Sequence, residues 1–360
     1  MKTIAYYISD YGYGHATRST AIIRELLKQK ENVKIIICHS FALDFLQQSF
    51  RHEHRVTFRE VATDVGYVLK ENSLEPDAKV LNANVSSYVS EFPMKLDQET
   101  LFMKEKNVSF VISDISPLGI ASGAVLGVPS LGLSNFTWYT AYEGLIEERL
   151  LTFLHEQYEQ MMYHFSLVCS DEPHWGIKEN QSFGFYSREI DDSEVRRIRK
   201  EIDPAEKGHI IYFSLGMKVD IGTLAELPIW QSPNCKFIVS SNVNVNHPNV
   251  YHIPKDAVET QHYVAAADLV LTKAGWGTIS EAVCAGVPLL ITNRSSMKED
   301  RHTIDYLVHH QLCDLIEWKE LESLVVTPLL IETCRRQQIN RYKNEAMHIA
   351  EEINKKINSK

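Results

Sequence analysis

Short runs of β-branched and aliphatic residues alternate with longer amphipathic stretches from one end of the chain to the other. That alternation is the pattern of parallel sheets whose strands are joined by helices, so the fold class is read as α/β. In the first half, strands are predicted over residues 3–9, 33–38, 109–113, 130–133 and 167–169, with helices over 17–30 and 140–164. In the second half, strands are predicted over 209–214, 236–240, 268–272 and 288–292. The two halves read alike.

Residues 187–208, with Asp191-Asp192, Arg196-Arg197 and Pro204, form a charged stretch where few contacts need cross, and a linker is placed there. The predicted organisation is a first domain over 1–186, this linker, a second domain over 209–329 and a helical segment over 330–360. In the last segment Ile339, Ala346, Ile349, Ala350, Ile353 and Ile357 fall at roughly helical spacing. It is read as one long helix or two short ones, packing on the second domain or crossing back to brace the first.

A length of 360 residues agrees with two domains, and 44% hydrophobic with 23% charged residues is a globular composition. The net charge of -10 argues against nucleic acid as a partner. The six cysteines are scattered without metal-ligand spacing, which suits a reducing, cytoplasmic setting. The first residues run straight into a strand rather than a signal peptide, and the apolar stretch 118–136 is broken by four glycines and a proline, so no transmembrane helix is expected.

The first predicted strand leads into Asp10-Tyr11-Gly12-Tyr13-Gly14-His15-Ala16-Thr17-Arg18. Gly12 and Gly14 permit a tight strand-to-helix turn and close approach of a ligand to the backbone, and the helix start offers free N–H groups to an anion. An imidazole at the tip of such a turn can take a proton near neutral pH, although a histidine there can equally cap the turn. This loop resembles the first glycine-rich loop of GT-B glycosyltransferases, including the peptidoglycan N-acetylglucosaminyltransferase. It is more similar still to the N-terminal glycosyltransferase-like region of plant arabinose kinases. The likeness extends to Ser113-Asp114 and to Gly127-Val128-Pro129-Ser130 through Asn135-Phe136-Thr137-Trp138. It implies two Rossmann-like domains with parallel sheets facing across a cleft, His15 as general base, Asp114 as its partner, and Gly12, Gly14 and Arg18 at the sugar nucleotide. Asp114 has a competing reading as a helix N-cap.

The strongest segment is Ala266-Ala267-Asp268-Leu269-Val270-Leu271-Thr272-Lys273-Ala274-Gly275-Trp276-Gly277-Thr278-Ile279-Ser280-Glu281, continuing to Gly286-Val287-Pro288. It reads as buried strand, glycine turn and helix, a place where main-chain amides hold a diphosphate without a metal. The segment resembles the GT-B donor motif, which implies Gly275, Gly277 and Thr278 along the phosphates and Glu281 on the ribose. Thr278-Ile279-Ser280-Glu281 also reads as a capping box, a competing structural role for the glutamate. Ser214-Leu215-Gly216 resembles the loop that closes over the diphosphate, or is an ordinary strand-end turn. His252-Ile253-Pro254 loosely resembles the base-binding loop. Arg294, Glu299 and Asp300 occupy the stretch that contacts the donor sugar in relatives, or form a solvated helix start.

His52, His54, His309 and His310 lack partners for a metal, and Phe136, Trp138, Tyr139 and Tyr142 are read first as core. The resemblance implies no cofactor and no metal. It implies an inverting glycosyltransferase of hexosyltransferase type that uses a nucleoside-diphosphate sugar, with a UDP-sugar favoured by likeness alone and the acceptor unknown. A nucleotide-sugar hydrolase of the kind used in nonulosonic acid synthesis fits the same motifs, and a non-catalytic nucleotide-sugar-binding protein is a third reading.

Overall fold

The computed structural model describes residues 2–71, 73, 75–216, 224–294, 296–337 and 342–359. The chain divides into two compact units: Met1–Leu69, Pro76–Gly184 and Glu345–Lys360 in the first, Lys70–Glu75 and Phe185–Asn344 in the second.

The first unit runs β1 (Lys2–Ile8), α1 (Tyr13–Gln29), β2 (Val33–His39), α2 (Leu43–Ser49), β3 (Val56–Glu60), α3 (Ala78–Glu105), β4 (Val108–Asp114), α4 (Pro117–Leu126), β5 (Ser130–Ser134), α5 (Trp138–Tyr142), α6 (Glu148–Tyr158), β6 (Tyr163–Leu167) and β7 (Glu179–Phe183). Its seven strands pair in parallel in the order β3-β2-β1-β4-β5-β6-β7. Ile4 to Ile8 of β1 have no exposed surface, as a central strand covered by helices on both faces requires. Pro117 opens α4, where its missing N–H costs nothing, and Gly127 closes it at φ +65°.

The second unit contains α7 (Asp192–Ile202), β8 (His209–Ser214), β9 (Cys235–Val239), β10 (Val250–His252), α8 (Gln261–Ala265), β11 (Leu269–Lys273), α9 (Trp276–Ala285), β12 (Leu289–Thr292), α10 (Lys298–His309), β13 (Asp314–Ile316), α11 (Trp318–Leu321) and α12 (Pro328–Gln337). Its six strands are also parallel, in the order β10-β9-β8-β11-β12-β13. Ile211, Phe213, Trp230, Phe237, Leu269 and Leu271 belong to one core cluster on this sheet. The closing helix α13 (Ala346–Asn358) belongs to the first unit, where it packs on α1 and Asn354 donates to Gln29 at 2.7 Å.

Each unit is thus a doubly wound parallel sheet of the Rossmann-like kind. In each the strand order reverses beside its first strand, between β1 and β4 and between β8 and β11. Ligands of open α/β sheets bind outside the carboxyl ends of the strands at such points.

Two expectations shift in detail. The helix predicted over 140–164 is interrupted: α5 stops at Tyr142, Gly144 turns the chain at φ +78°, and α6 ends before β6, which replaces the strand predicted over 167–169. Residues 187–208, read as a linker, carry α7 and lie within the second unit.

Candidate functional site

At the reversal point of the first sheet, the chain leaves β1 through Gly12, which sits at φ +77° immediately before α1. A side chain would be strained there, so the glycine is what allows the turn. Helix α1 begins earlier than the sequence pattern indicates, and Gly14 and His15 fall in its first turn. Asp114 ends β4, and the β1–β4 register sets it beside Ile8. The adjacency of these two strands brings together residues 99 positions apart: His15 Nδ1 lies 2.9 Å from Asp114 Oδ1, with His15 only 6% exposed.

All of Asp114's acceptor capacity is used locally. Oδ1 also pairs with Arg18 Nη2, while Oδ2 accepts from Arg18 Nε at 2.7 Å and from Ser19 Oγ at 3.2 Å. Arg18 Nη1 donates to Asn135 Oδ1 at 2.7 Å. The helix after β4 starts at Pro117 with Ser116 before it, so Asp114 is not its cap. Arg18, expected at the sugar nucleotide, has its guanidinium turned into this buried cluster instead. Arg18 Nη2 also lies 3.0 Å from Nδ1, and the His15 tautomer that carries its proton on Nδ1, towards the carboxylate, is the one that leaves a lone pair on Nε2.

Burial lowers the pKa of His15; Asp114 partly opposes this and Arg18 adds to it, with a net value below the ordinary 6.5. Burial would raise Asp114, but Arg18 and then His15 outweigh it and hold the carboxyl well below 3.8. Both shifts favour a neutral imidazole beside a charged carboxylate. Nearby, Trp138 Nε1 donates to Asp64 Oδ2 at 2.8 Å, and Phe136, Trp138 and Tyr142 are buried, in keeping with core. Burial, then the charge of Asp10, pushes Asp64 up to about 7.

The second unit repeats the arrangement with different chemistry. Ser214 ends β8 opposite Thr272 of β11, and Gly216 turns at φ +90°. A Cβ on Gly216 would lie 2.8 Å from Lys273 Cε, so the glycine makes room for the lysine that ends β11. Burial, then the charge of Arg294, pulls Lys273 below 10.5. The ten-residue helix α9 follows Gly275, and no side chain caps it. Gly277 and Thr278 lie in its first turn, where helix geometry gives the main-chain N–H groups no partner within the helix.

Because α9 already begins at Trp276, Thr278 and Glu281 form no capping box. Glu281 instead pairs with Arg188, Nη2 to Oε1 at 2.7 Å. The expected sugar contacts Arg294 and Asp300 are buried and ion-paired with each other, and Glu299 is buried beside them, so this is not a solvated helix start; Ser295 lies outside the described residues. His52 and His54 are exposed. Sequence reasoning missed Arg188 and gave Lys273 no role. Lys273 stood inside the glycine motif, whereas Arg188 stood in a charged run with nothing local to mark it.

Two family models match the chain: "Glycosyl transferase family 1" over residues 2–147 and "Glycosyltransferase family 28 C-terminal domain" over residues 240–357. L-arabinokinase of Arabidopsis thaliana is 25% identical over 85% of the chain, which spans only 30% of that protein's length. An uncharacterized glycosyltransferase of Methanosarcina acetivorans is 22% identical, with 80% of the chain and 78% of the relative covered. Among solved structures, Phytolacca americana UGT2, complexed with UDP-2fluoro-glucose and pterostilbene, superposes over the full length of both chains with a TM-score of 0.63 at 10% identity. The chain has the GT-B fold, and each of its halves matches a glycosyltransferase family model. Among the described residues, no helix is long and apolar enough to cross a membrane.

Proposed function

We propose that the chain transfers a sugar from a nucleoside-diphosphate sugar to an acceptor hydroxyl, with inversion and without a metal ion. The observation that carries this reading is the buried His15–Asp114 pair, with Nε2 of the imidazole left to act. In the reaction Nε2 takes the acceptor's proton, the acceptor oxygen attacks the anomeric carbon, and the bond from that carbon to the diphosphate breaks. A single displacement of this kind inverts the anomeric centre. Asp114 stabilises the imidazolium and fixes the tautomer.

The second unit supplies the counter-charge to the leaving diphosphate. The open start of α9, the Ser214–Gly216 turn and the Lys273 ammonium give it positive potential, which is the role a metal ion would otherwise fill. Glu281 presents a carboxylate oxygen to the ribose. The donor is a UDP-sugar by analogy with the ligand of the Phytolacca enzyme.

The test is to incubate the purified protein with a panel of sugar nucleotides, with and without candidate sugar, lipid and phenolic acceptors. Consumption of donor only when acceptor is present, with an inverted glycoside as product, is the expected result. Stoichiometric release of free sugar without acceptor would instead make water the acceptor and the protein a hydrolase. Tight donor binding without turnover would make it a sensor.

A further inference from the structure

We propose that Arg188 is a positioning residue for nucleoside recognition: it pins one oxygen of Glu281 so that the other is presented to the ribose hydroxyls. The proposal rests on the reading of Glu281 as the ribose ligand and adds the device that aims it.

Arg188 is 1% exposed, and its two terminal nitrogens make three contacts. Nη2 is shared between Glu281 Oε1 at 2.7 Å and Thr260 Oγ1 at 2.9 Å, and Nη1 donates to the carbonyl of Val258. Val258 and Thr260 belong to the connection between β10 and α8, so one rigid planar fork ties that connection to the glutamate on α9. A glutamate with one open edge otherwise samples more than one rotamer, and ordering it on binding costs affinity.

The pairing is one-sided. An arginine serving only to neutralise a buried carboxylate gains most by taking both oxygens, as Arg18 does with Asp114. Arg188 takes only Oε1, and Oε2 has no partner among the described residues. The glutamate side chain keeps 11% of its surface exposed. A carboxylate oxygen that is charged, oriented and reachable suits an adjacent pair of hydroxyls, each donating one hydrogen bond.

The experiment measures binding by titration calorimetry. UDP, ADP, GDP and CDP are screened, and the tightest binder is compared with its 2′,3′-dideoxy analogue in the wild type, Arg188→Gln, Arg188→Lys and Thr260→Val. The wild type is expected to favour the ribonucleotide by about tenfold to a hundredfold, the range of hydrogen bonds to a charged group. Arg188→Gln collapses that preference while leaving affinity for the dideoxy analogue unchanged within about threefold. Arg188→Lys, which keeps the charge but not the fork, falls between, and Thr260→Val moves the ratio least. If Arg188→Gln does not melt cooperatively, the lysine and valine variants carry the test in the same direction. A retained preference in Arg188→Gln, or in both other variants, overturns the proposal. So does an equal loss for both nucleotides, which marks a purely structural arginine. A wild type that binds a nucleotide but ignores the ribose hydroxyls refutes the role of Glu281 itself, and binding of none of the four refutes the donor reading beneath both.

Discussion

Asp114 in the first unit and Glu281 in the second are both buried carboxylates held by an arginine, yet their free valences differ. Asp114 gives both oxygens to Arg18 and still serves His15 and Ser19, so nothing of it is left for a ligand. Glu281 gives one oxygen to Arg188 and keeps the other. The difference separates two kinds of work. A saturated carboxylate acts on substrate only through the imidazole it orients, whereas a half-used one can meet a ligand directly. On the proposed reading, the same Rossmann-like frame, with its reversal of strand order, serves a proton acceptor in one unit and a place for an anion in the other.

The widest separation between the two sites should appear in kinetics. His15→Ala removes the group that takes the acceptor's proton and should lower kcat by roughly a hundredfold to ten-thousandfold, the usual weight of general base catalysis. Donor affinity, measured by titration, should change by less than about threefold, because binding energy of that kind is supplied elsewhere. Glu281→Ala should do the reverse, weakening the donor more than it slows the chemical step. If both variants lost donor affinity alone, the division of labour between the units would be wrong.

Stability comes next. Asp114→Asn leaves the buried Arg18 without its counter-charge, and breaking a buried pair in this way costs about 3–5 kcal/mol. Glu281→Gln should cost less, since the glutamate edge is open and Arg188 keeps Thr260 and the Val258 carbonyl. Urea unfolding at pH 7 ranks the two. The pH dependence has a defined sign: the folded-state pKa of Asp114 is depressed, so its contribution is present above the ordinary 3.8 and is lost as pH falls below it. Equal destabilisation of the two variants would mean that saturation of the carboxylate has no energetic consequence.

What the sequence made legible follows from how local each signal is. The strands near the centre of both sheets, such as Ile4-Ala5-Tyr6-Tyr7-Ile8 and Leu269-Val270-Leu271, announce themselves by unbroken apolar runs because helices cover both faces. The strands absent from the sequence reading are β3, β7, β10 and β13, and each lies at a sheet edge. Edge strands are short and half-solvated; Glu-Asn-Gln-Ser-Phe in β7 alternates in burial rather than running apolar. The glycine turns were equally legible, since a positive φ at Gly12 or Gly216 leaves a chemical signature at the residue itself. Partnership leaves none. Arg18 stands out within its glycine-rich loop, but nothing in its own neighbourhood reveals that strand β4 delivers Asp114 to its guanidinium. Arg188 meets Glu281 across 93 positions and could not be found without the register of the sheet.

The smallest expected effect is the most discriminating. Because burial and Arg18 hold His15 below 6.5, the acid limb of kcat/KM, which reports the free enzyme's base, should lie below that value. Arg18→Gln withdraws a positive charge 3.0 Å from Nδ1 and leaves Asp114 to the imidazole, so the imidazolium is favoured and the limb should move up. Asp114→Asn removes the opposing influence and should move it down. Arg188→Gln, which alters the other carboxylate–arginine pair, should leave the limb in place, because that pair is coupled to no base. A histidine titration followed by NMR, alongside the rate profile, checks that the moving group is His15. Should Arg18→Gln lower the limb, or Arg188→Gln shift it as far, the two arginines would not be doing different jobs.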